Sequence, residues 1–283
     1  MVTLSDLHSD KIEIQRQWDR DPCAAESVRN VPRDTLEYYR AIRKHRYEVY
    51  APWMPKAMAF SEWRGKRILE IGVGLGSDHY MLAKGGNRMT ALDLSRVHLK
   101  LTKQHLELEG LDTDAVYGDA EDMPFEDDSY DMVYSFGVLH HTPDTAAAFR
   151  EVYRVLRPGG VAVIGVYHKY SFYLLLNTLL VKGVLLCRLF RKGWRGLLSE
   201  IEYRSDSASA VPLVKVFSRW QVKQYFRSYA DCRISVHHVE LSHFIPGNFF
   251  SLLRRPASSP LVRRFLERFL GWGGWYLVVR AVK

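Results

Sequence analysis

The sequence predicts an α/β fold, a mainly parallel sheet covered by helices, on three observations. Between Arg67 and Val166 short apolar runs alternate with longer stretches of helical character. The first apolar run leads straight into a glycine-dense turn, and acidic residues stand at the ends of three runs. The 283 residues, 47% of them hydrophobic, suit one such domain with insertions or one domain plus a smaller lobe.

Taken in order, residues 1–60 hold no strand-like run. Thr35 to Ile42 lies inside an amphipathic helical pattern, so this segment reads as a cap or lid. Strands are expected at Arg67–Ile71, Arg88–Leu92, Ala115–Tyr117, Tyr130–Phe136 and Gly160–Tyr167, with helices filling the gaps of a 61–167 core. Arg157-Pro158-Gly159-Gly160 reads as a turn between a helix Asp144–Leu156 and the fifth strand, because proline ends helices and paired glycines admit positive φ. An insertion, 168–217, carries the apolar stretch Phe172–Phe190 and the serine-rich Ser205–Ser209, expected to be a mobile loop. Residues 218–283 complete the sheet: Ser218-Arg219-Trp220-Gln221 starts a helix, and Cys232–His237 and Trp275–Val282 read as strands. No internal repeat is present.

Composition narrows the setting. Cys23, Cys187 and Cys232 are odd in number and far apart, without zinc or redox spacing, and read as reduced, packed thiols. The start, Met1-Val2-Thr3-Leu4-Ser5-Asp6, lacks the basic-then-apolar order of a signal peptide, which predicts a cytoplasmic protein. The net charge of +8 is unevenly held: residues 1–160 carry 21 basic against 26 acidic side chains, residues 161–283 carry 19 against 6. Such asymmetry fits either a solvated basic face or a surface that meets lipid, a phosphorylated substrate or nucleic acid.

The sharpest motif is Ile68-Leu69-Glu70-Ile71-Gly72-Val73-Gly74-Leu75-Gly76-Ser77. Glycines let backbone turn tightly and let a ligand approach the main chain. A dinucleotide fingerprint would need glycine where Ser77 stands. Glu70 adds a carboxylate suited to a ligand ammonium group, which favours a sulfonium nucleoside over a pyrophosphate. Asp93 ends the second strand, where a carboxylate can accept from both ribose hydroxyls, although it also fits a helix cap ahead of Ser95. Asp119 follows the third strand and can accept from an adenine amino group. Three acids at three strand ends are hard to explain as caps, since ligands of open α/β sheets bind along that edge.

These residues, with Gly118-Asp119-Ala120-Glu121-Asp122-Met123-Pro124-Phe125, Asp131 to His141 and Leu156-Arg157-Pro158-Gly159-Gly160, resemble the successive motifs of class I S-adenosylmethionine-dependent methyltransferases. The resemblance covers Trp63 to Tyr167 and is nearest the branch holding ubiquinone and menaquinone methylating enzymes and many natural-product methyltransferases. It implies a Rossmann-like seven-stranded sheet with an antiparallel last strand, an N-terminal helical cap and a helical insertion after the fifth strand. It also implies S-adenosylmethionine as cofactor and S-adenosylhomocysteine as product. Glu70, Gly72, Gly74 and Gly76 would surround the methionine part and ribose, Asp93 would hold the ribose, and Leu94 would lie beside adenine. Asp119 and Ala120 would bind adenine; Phe136 and Gly137 would contact the methionine end; Tyr39 or Arg46, on the preceding helix, would meet the cofactor carboxylate or the acceptor.

Methyl transfer from sulfonium is an in-line displacement that needs a base only when the acceptor must lose a proton. His140 and His141, after the fourth strand, are the first candidates, with a structural role as the alternative; Tyr167 and His168 form the second pair. His237, His238 and His243 lack an acidic or sulfur partner at ligand spacing, so no metal is expected. The Phe172–Phe190 stretch, broken by Asn177 and Lys182, falls short of the ~20 apolar residues that cross a bilayer. It is expected to form a pocket for a hydrophobic acceptor such as a polyketide, quinol or isoprenoid. With Arg188, Arg191, Lys192 and Arg195, and with the basic amphipathic Leu261 to Leu270, the same features also fit peripheral contact with the inner membrane face, a helical lid or a homo-oligomer face. The expected function is methyl transfer to oxygen or carbon of a hydrophobic small molecule. RNA methylation is the alternative enzyme, but no RNA-binding module is appended and Ser135-Phe136-Gly137-Val138 replaces the N-P-P-Y-type tetrapeptide, so no nucleic-acid partner is expected. A non-catalytic cofactor-binding regulator or scaffold is the alternative of another class.

Overall fold

The computed structural model describes residues 9–20, 28, 31–33, 35–201, 213–244 and 259–283; Cys23 and Ser205–Ser209 lie outside them. Seven strands form one sheet: β1 (Arg67–Ile71), β2 (Arg88–Asp93), β3 (Asp114–Tyr117), β4 (Tyr130–Phe136), β5 (Leu156–Tyr167), β6 (Asp231–His237) and β7 (Tyr276–Val282). Their order is β3-β2-β1-β4-β5-β7-β6, and β7 alone runs antiparallel to its neighbours. The central strands are apolar on both faces because helices cover both sides of a parallel sheet.

Alternation along β1 separates the two cores. Leu69 and Ile71 face a cluster with Val133, Phe149, Val152, Phe226 and Leu277, under α6 (Thr145–Val155) and α8 (Arg219–Tyr225). Ile68 faces Met54, Phe60, Leu82 and Tyr134, under α3 (Met54–Ala57) and α4 (Ser77–Ala83). The helix starts follow local chemistry: Ser95 caps α5 (Arg96–Leu108), Asp144 caps α6, and Ser218 with Gln221 closes a reciprocal capping box on α8.

The strands agree with the sequence pattern except at β5. Its pairing begins at Leu156, opposite Tyr130, and resumes at Val161 opposite Met132, so Arg157-Pro158-Gly159-Gly160 is a bulge within the strand and not a turn before it. Gly159, at φ +75°, supplies the bend.

Before the sheet lie α1 (Ser9–Arg20) and α2 (Leu36–Lys44), the latter continued by a π-helix His45–Tyr50. After β5 come a wide π-helix Tyr173–Leu185 and α7 (Arg188–Ser199), kinked at Gly193; α9 (Pro260–Leu270) precedes β7. No helix among the described residues is long and apolar enough to cross a membrane.

Candidate active site

The carboxyl ends of β1 to β4 open into a cavity of about 420 Å³. Glu70, Gly72 and Gly74 line it from the first strand and its turn, Asp93 and Leu94 from the second, Asp119 and Ala120 from the third, Phe136 and Gly137 from the fourth. Gly72, at φ +77°, has no room for a side chain, because a Cβ would collide with Val138. Gly137 differs: a Cβ there would meet nothing within 4 Å, so glycine keeps the cavity open.

Each acid is tied into the scaffold. Asp93 accepts from the Val73 amide at 2.9 Å and the Ser95 amide at 2.8 Å, and His98 lies at 3.2 Å, so it both braces the glycine turn and supports the cap at Ser95. Asp119 accepts from the Glu121 amide and pairs with Lys11, whose ammonium also reaches Glu121. Glu70 is turned onto His79, with Oε2 2.8 Å from Nδ1. Thr113 donates to the Met89 carbonyl, so its oxygen accepts from His79 Nε2 at 2.8 Å, leaving Nδ1 to accept from a protonated Glu70. Burial, then the charge of Asp78, raises Glu70 well above the ordinary carboxyl range, and burial lowers His79 to about 3. Glu70 thus faces His79, and its burial favours the protonated carboxyl over a free carboxylate.

Arg46, Tyr39 and Gly76 fall in three different places. Arg46 lines the cavity but is bidentate on Asp78, Nε to Oδ1 at 2.7 Å and a terminal nitrogen to Oδ2 at 2.6 Å. Tyr39 is absent from the lining: it faces α5, stacked on His105 at 4.4 Å and 6°. Gly76 is also outside the cavity wall; it caps α4 at φ +72°, where a Cβ would press on Thr102 of α5.

The histidine pair divides. His141 lines the cavity, its Nδ1 donates to the Leu213 carbonyl at 2.7 Å, and Nε2 has no hydrogen-bond partner among the described residues. Burial lowers it to about 4 although the Leu213 bond opposes this, so the ring is neutral near pH 7 with its lone pair on Nε2. His140 lies behind, fully buried against the Tyr167 ring at 3.8 Å, and does not line the cavity; burial, then His141, holds it neutral. Tyr167 lines the cavity, whereas His168 donates to the Gly274 carbonyl at the sheet edge and does not.

Sequence reasoning missed Asp78 and Lys11. Asp78 also accepts from Tyr47 at 2.5 Å and Tyr134 at 2.7 Å, and its one sequence signal is an acid in the first turn of the helix after the glycines. Lys11 carries α1 across the cavity, with Trp18 set against the rings of His98 and His141. The insertion also departs from expectation. No residue of Phe172–Phe190 lines the cavity, whose lining includes five other aromatic side chains, Trp18, Tyr50, Phe136, Tyr167 and Tyr276. Among the other histidines the fold supplies the acidic partner the spacing hid, since Glu240 lies with His238 and His243, their ligand atoms within 4.8 Å. Trp53 and the Glu240 amide donate to the two Nδ1 atoms at 3.4 Å each, which keeps the ring protons on Nε2. His237 stacks on Trp53 and takes no part.

Residues 69–164 match the family model described as a methyltransferase domain. Residues 69–164, about a third of the chain, are thus similar to a methyltransferase domain, and they lie on a sheet of order β3-β2-β1-β4-β5-β7-β6 with a cavity at its strand ends. The chain is 43% identical over 101 residues to a phthiotriol/phenolphthiotriol dimycocerosates methyltransferase of Mycobacterium ulcerans, covering 35% of this chain and 36% of that one. It is 31% identical over 133 residues to a sterol 24-C-methyltransferase of Aspergillus fumigatus, 46% of this chain and 33% of that one. The chain thus spans about a third of the length of these curated relatives. A SAM-dependent methyltransferase from Thermotoga maritima superposes over 95% of this chain and 99% of its own, at TM-score 0.53 and 14% identity, a likeness of fold.

Proposed function

We propose that this chain transfers a methyl group from S-adenosylmethionine to a hydroxyl oxygen of a hydrophobic small molecule, with His141 taking the hydroxyl proton. The observation that carries the proposal is the ring of His141, a residue of the cavity wall: a tautomer fixed by the Leu213 carbonyl, and a buried Nε2 with no hydrogen-bond partner among the described residues. Two lipid-modifying relatives by name and the five aromatic side chains in the cavity wall support a hydrophobic acceptor.

The cavity suits the cofactor. Glycine leaves it open at Gly137, Gly72 and Gly74 line it, and Asp93 and Asp119 in its wall would accept from ribose hydroxyls and an adenine amino group. Glu70 would hold the ammonium end by giving up its proton, and Leu94, Ala120 and Phe136 would pack on the apolar surfaces. Residues 1–60 act as lid, 61–167 as cofactor core, 168–217 as an acceptor-side insertion, and 218–283 completes the sheet. The bound cofactor supplies a methyl on a positively charged sulfur, and that charge is lost as the carbon–sulfur bond breaks. His141 Nε2 takes the proton as the carbon–oxygen bond forms, so the net charge of the cavity is unchanged and the burial that disfavours imidazolium is offset. Aromatic walls exclude water and hold the oxygen in line. No metal takes part.

The test is incubation with cofactor labelled in the methyl group and pooled lipids, polar metabolites and RNA. Label in an apolar ether, lost by about 10²-fold or more in His141→Ala while cofactor affinity holds, is expected. Label in RNA or polar metabolites, or full activity of the variant, refutes the proposal; cofactor binding without transfer to any pool would leave a binding protein. The sterol 24-C relative favours carbon as the alternative target, which NMR of the labelled product distinguishes.

A further inference from the structure

The apolar insertion that does not line the cavity faces outward. Of the fifteen large hydrophobic side chains exposed among the described residues, eight lie between Tyr170 and Trp194 and four between Leu261 and Trp272. Leu185, Leu186 and Phe190 are 67%, 53% and 78% exposed at the junction of the π-helix Tyr173–Leu185 with α7. On α9 the outward stripe reads Leu261, Arg264, Phe265, Arg268, Phe269, at helical spacing, while Leu266 faces inward. Trp272 packs edge-on against Phe172, 4.8 Å between centroids, so the end of α9 and the root of the π-helix meet.

Water-exposed apolar side chains at this density mark a surface that meets something. The charge identifies what. Arg191 and Arg195 follow the π-helix beside Arg188 and Lys192, which pair with Glu200, arginines interleave the aromatic stripe of α9, and residues 161–283 hold 19 basic against 6 acidic side chains. A second copy docked face to face would set these bases against one another. Nucleic acid would leave the leucines and valine unsatisfied. Phenylalanine and tryptophan at headgroup depth, with arginines reaching phosphate, fit one partner, and we infer that this face is a docking surface for an anionic lipid bilayer, which α9 and the π-helix–α7 junction enter as interfacial helices.

Docking there brings the bilayer to the acceptor end of the cavity. Tyr173 and Leu174, at the root of the π-helix, pack in one cluster with Trp275, Tyr167 and Tyr276, of which the last two are cavity wall. Arg263 of α9 also donates to the Val49 carbonyl at 2.8 Å, tying the face to the π-helix His45–Tyr50 that supplies Arg46 and Tyr50 to the cavity.

The surface is tested without cofactor or acceptor, so it stands or falls apart from methyl transfer. The full chain is floated with vesicles of phosphatidylcholine alone or mixed equally with phosphatidylglycerol, at low and high salt. Binding to the mixed vesicles, weakened by salt, is expected. Arg264→Glu with Arg268→Glu should lower partitioning by at least about fivefold per arginine, and Phe265→Ser with Phe269→Ser by a further order of magnitude or more. Leu108→Ser, an exposed apolar change on α5 at the far side of the sheet, should leave binding unchanged. All three variants should melt with the parent's circular-dichroism curve. Failure to float with anionic vesicles, equal binding by the α9 variants, or a dimer that Phe265→Ser with Phe269→Ser dissolves would each overturn the inference.

Discussion

Replacing Asp78 by asparagine tests the electrostatic floor of the cavity. The carboxylate accepts two bonds from Arg46 and one each from Tyr47 and Tyr134, at 2.5–2.7 Å, and the Arg46 side chain is 17% exposed. Asparagine keeps the size but removes the charge and turns one acceptor into a donor aimed at the guanidinium or at a tyrosine hydroxyl. A buried charge stripped of its partner costs roughly 3–5 kcal/mol. At about 3 °C per kcal/mol for a chain of this size, the melting temperature should fall by roughly 10 °C. The assay is urea unfolding followed by far-UV circular dichroism, on the parent, Asp78→Asn, Arg46→Met and the double variant. Because the cost is that of an orphaned cation, the double variant should be more stable than Asp78→Asn alone. A loss under about 1 kcal/mol, or a double variant less stable than either single one, would show that Arg46 finds water or another acceptor and that Asp78 is no keystone.

Other outcomes follow from the same geometry. Lys11→Met should speed cofactor association several-fold in stopped-flow mixing, since the ammonium holds the Asp119 carboxylate before adenine does; a more than tenfold loss of affinity would instead make Lys11 part of the binding site. Gly72→Ala should abolish measurable cofactor binding by calorimetry, through the Val138 collision and positive φ, and unchanged binding would refute the close β1–β4 approach. Activity should survive a chelator; loss that one specific ion restores would make His238, Glu240 and His243 a metal site. Acid should unfold the protein in a definite window. His79, His238 and His243 are lowered to about 3, and His105 and His141 to about 4, by burial before all else. Below the ordinary histidine value of 6.5 the unfolded chain takes up protons that these rings refuse, so stability falls as pH drops from 6.5 toward 4 and is unaffected by them above it. By pH 5 each costs about 2 kcal/mol and the five together roughly 10, so a melting temperature flat between pH 7 and 5 would refute the buried, neutral assignment.

The sheet was legible because its signals are local. Apolar runs of strand length, glycine at Gly72, Gly74 and Gly76, and acids ending three runs carry the strand order's cofactor edge within about 50 residues of chain, and each of those acids reaches the cavity. The bulge in β5 was less legible, since Pro158 and Gly159 signal a bend equally well inside a strand's pairing as before it. Tyr39 and Arg46 were less legible still. They lie seven residues apart, about two helical turns, on α2 and on the π-helix that continues it, and only the packing of these helices over α4 and α5 decides that one stacks on His105 while the other meets Asp78.

What the sequence hid is direction. The Phe172–Phe190 run has the apolarity of a pocket wall, and hydrophobicity alone does not distinguish a residue that faces a cavity from one that faces a bilayer. The deciding fact is that β5 ends at Tyr167 and β7 begins at Tyr276, so two tyrosines from neighbouring antiparallel strands already close the cavity before the insertion begins. The helix that follows can add only an outer layer: Tyr173 and Leu174 fill the space behind those tyrosines, and Leu180, Leu185 and Phe190 have no interior left to enter. An acceptor small enough for about 420 Å³ shared with a cofactor would need no such layer. A lipid acceptor must leave a bilayer, and an apolar, arginine-edged layer behind the acceptor wall shortens that path. The expected consequence is kinetic: Phe265→Ser with Phe269→Ser should raise KM for a vesicle-borne acceptor by an order of magnitude or more while kcat and KM for a short-chain soluble analogue stay at parent values, and an equal effect on both acceptors would refute delivery from the bilayer.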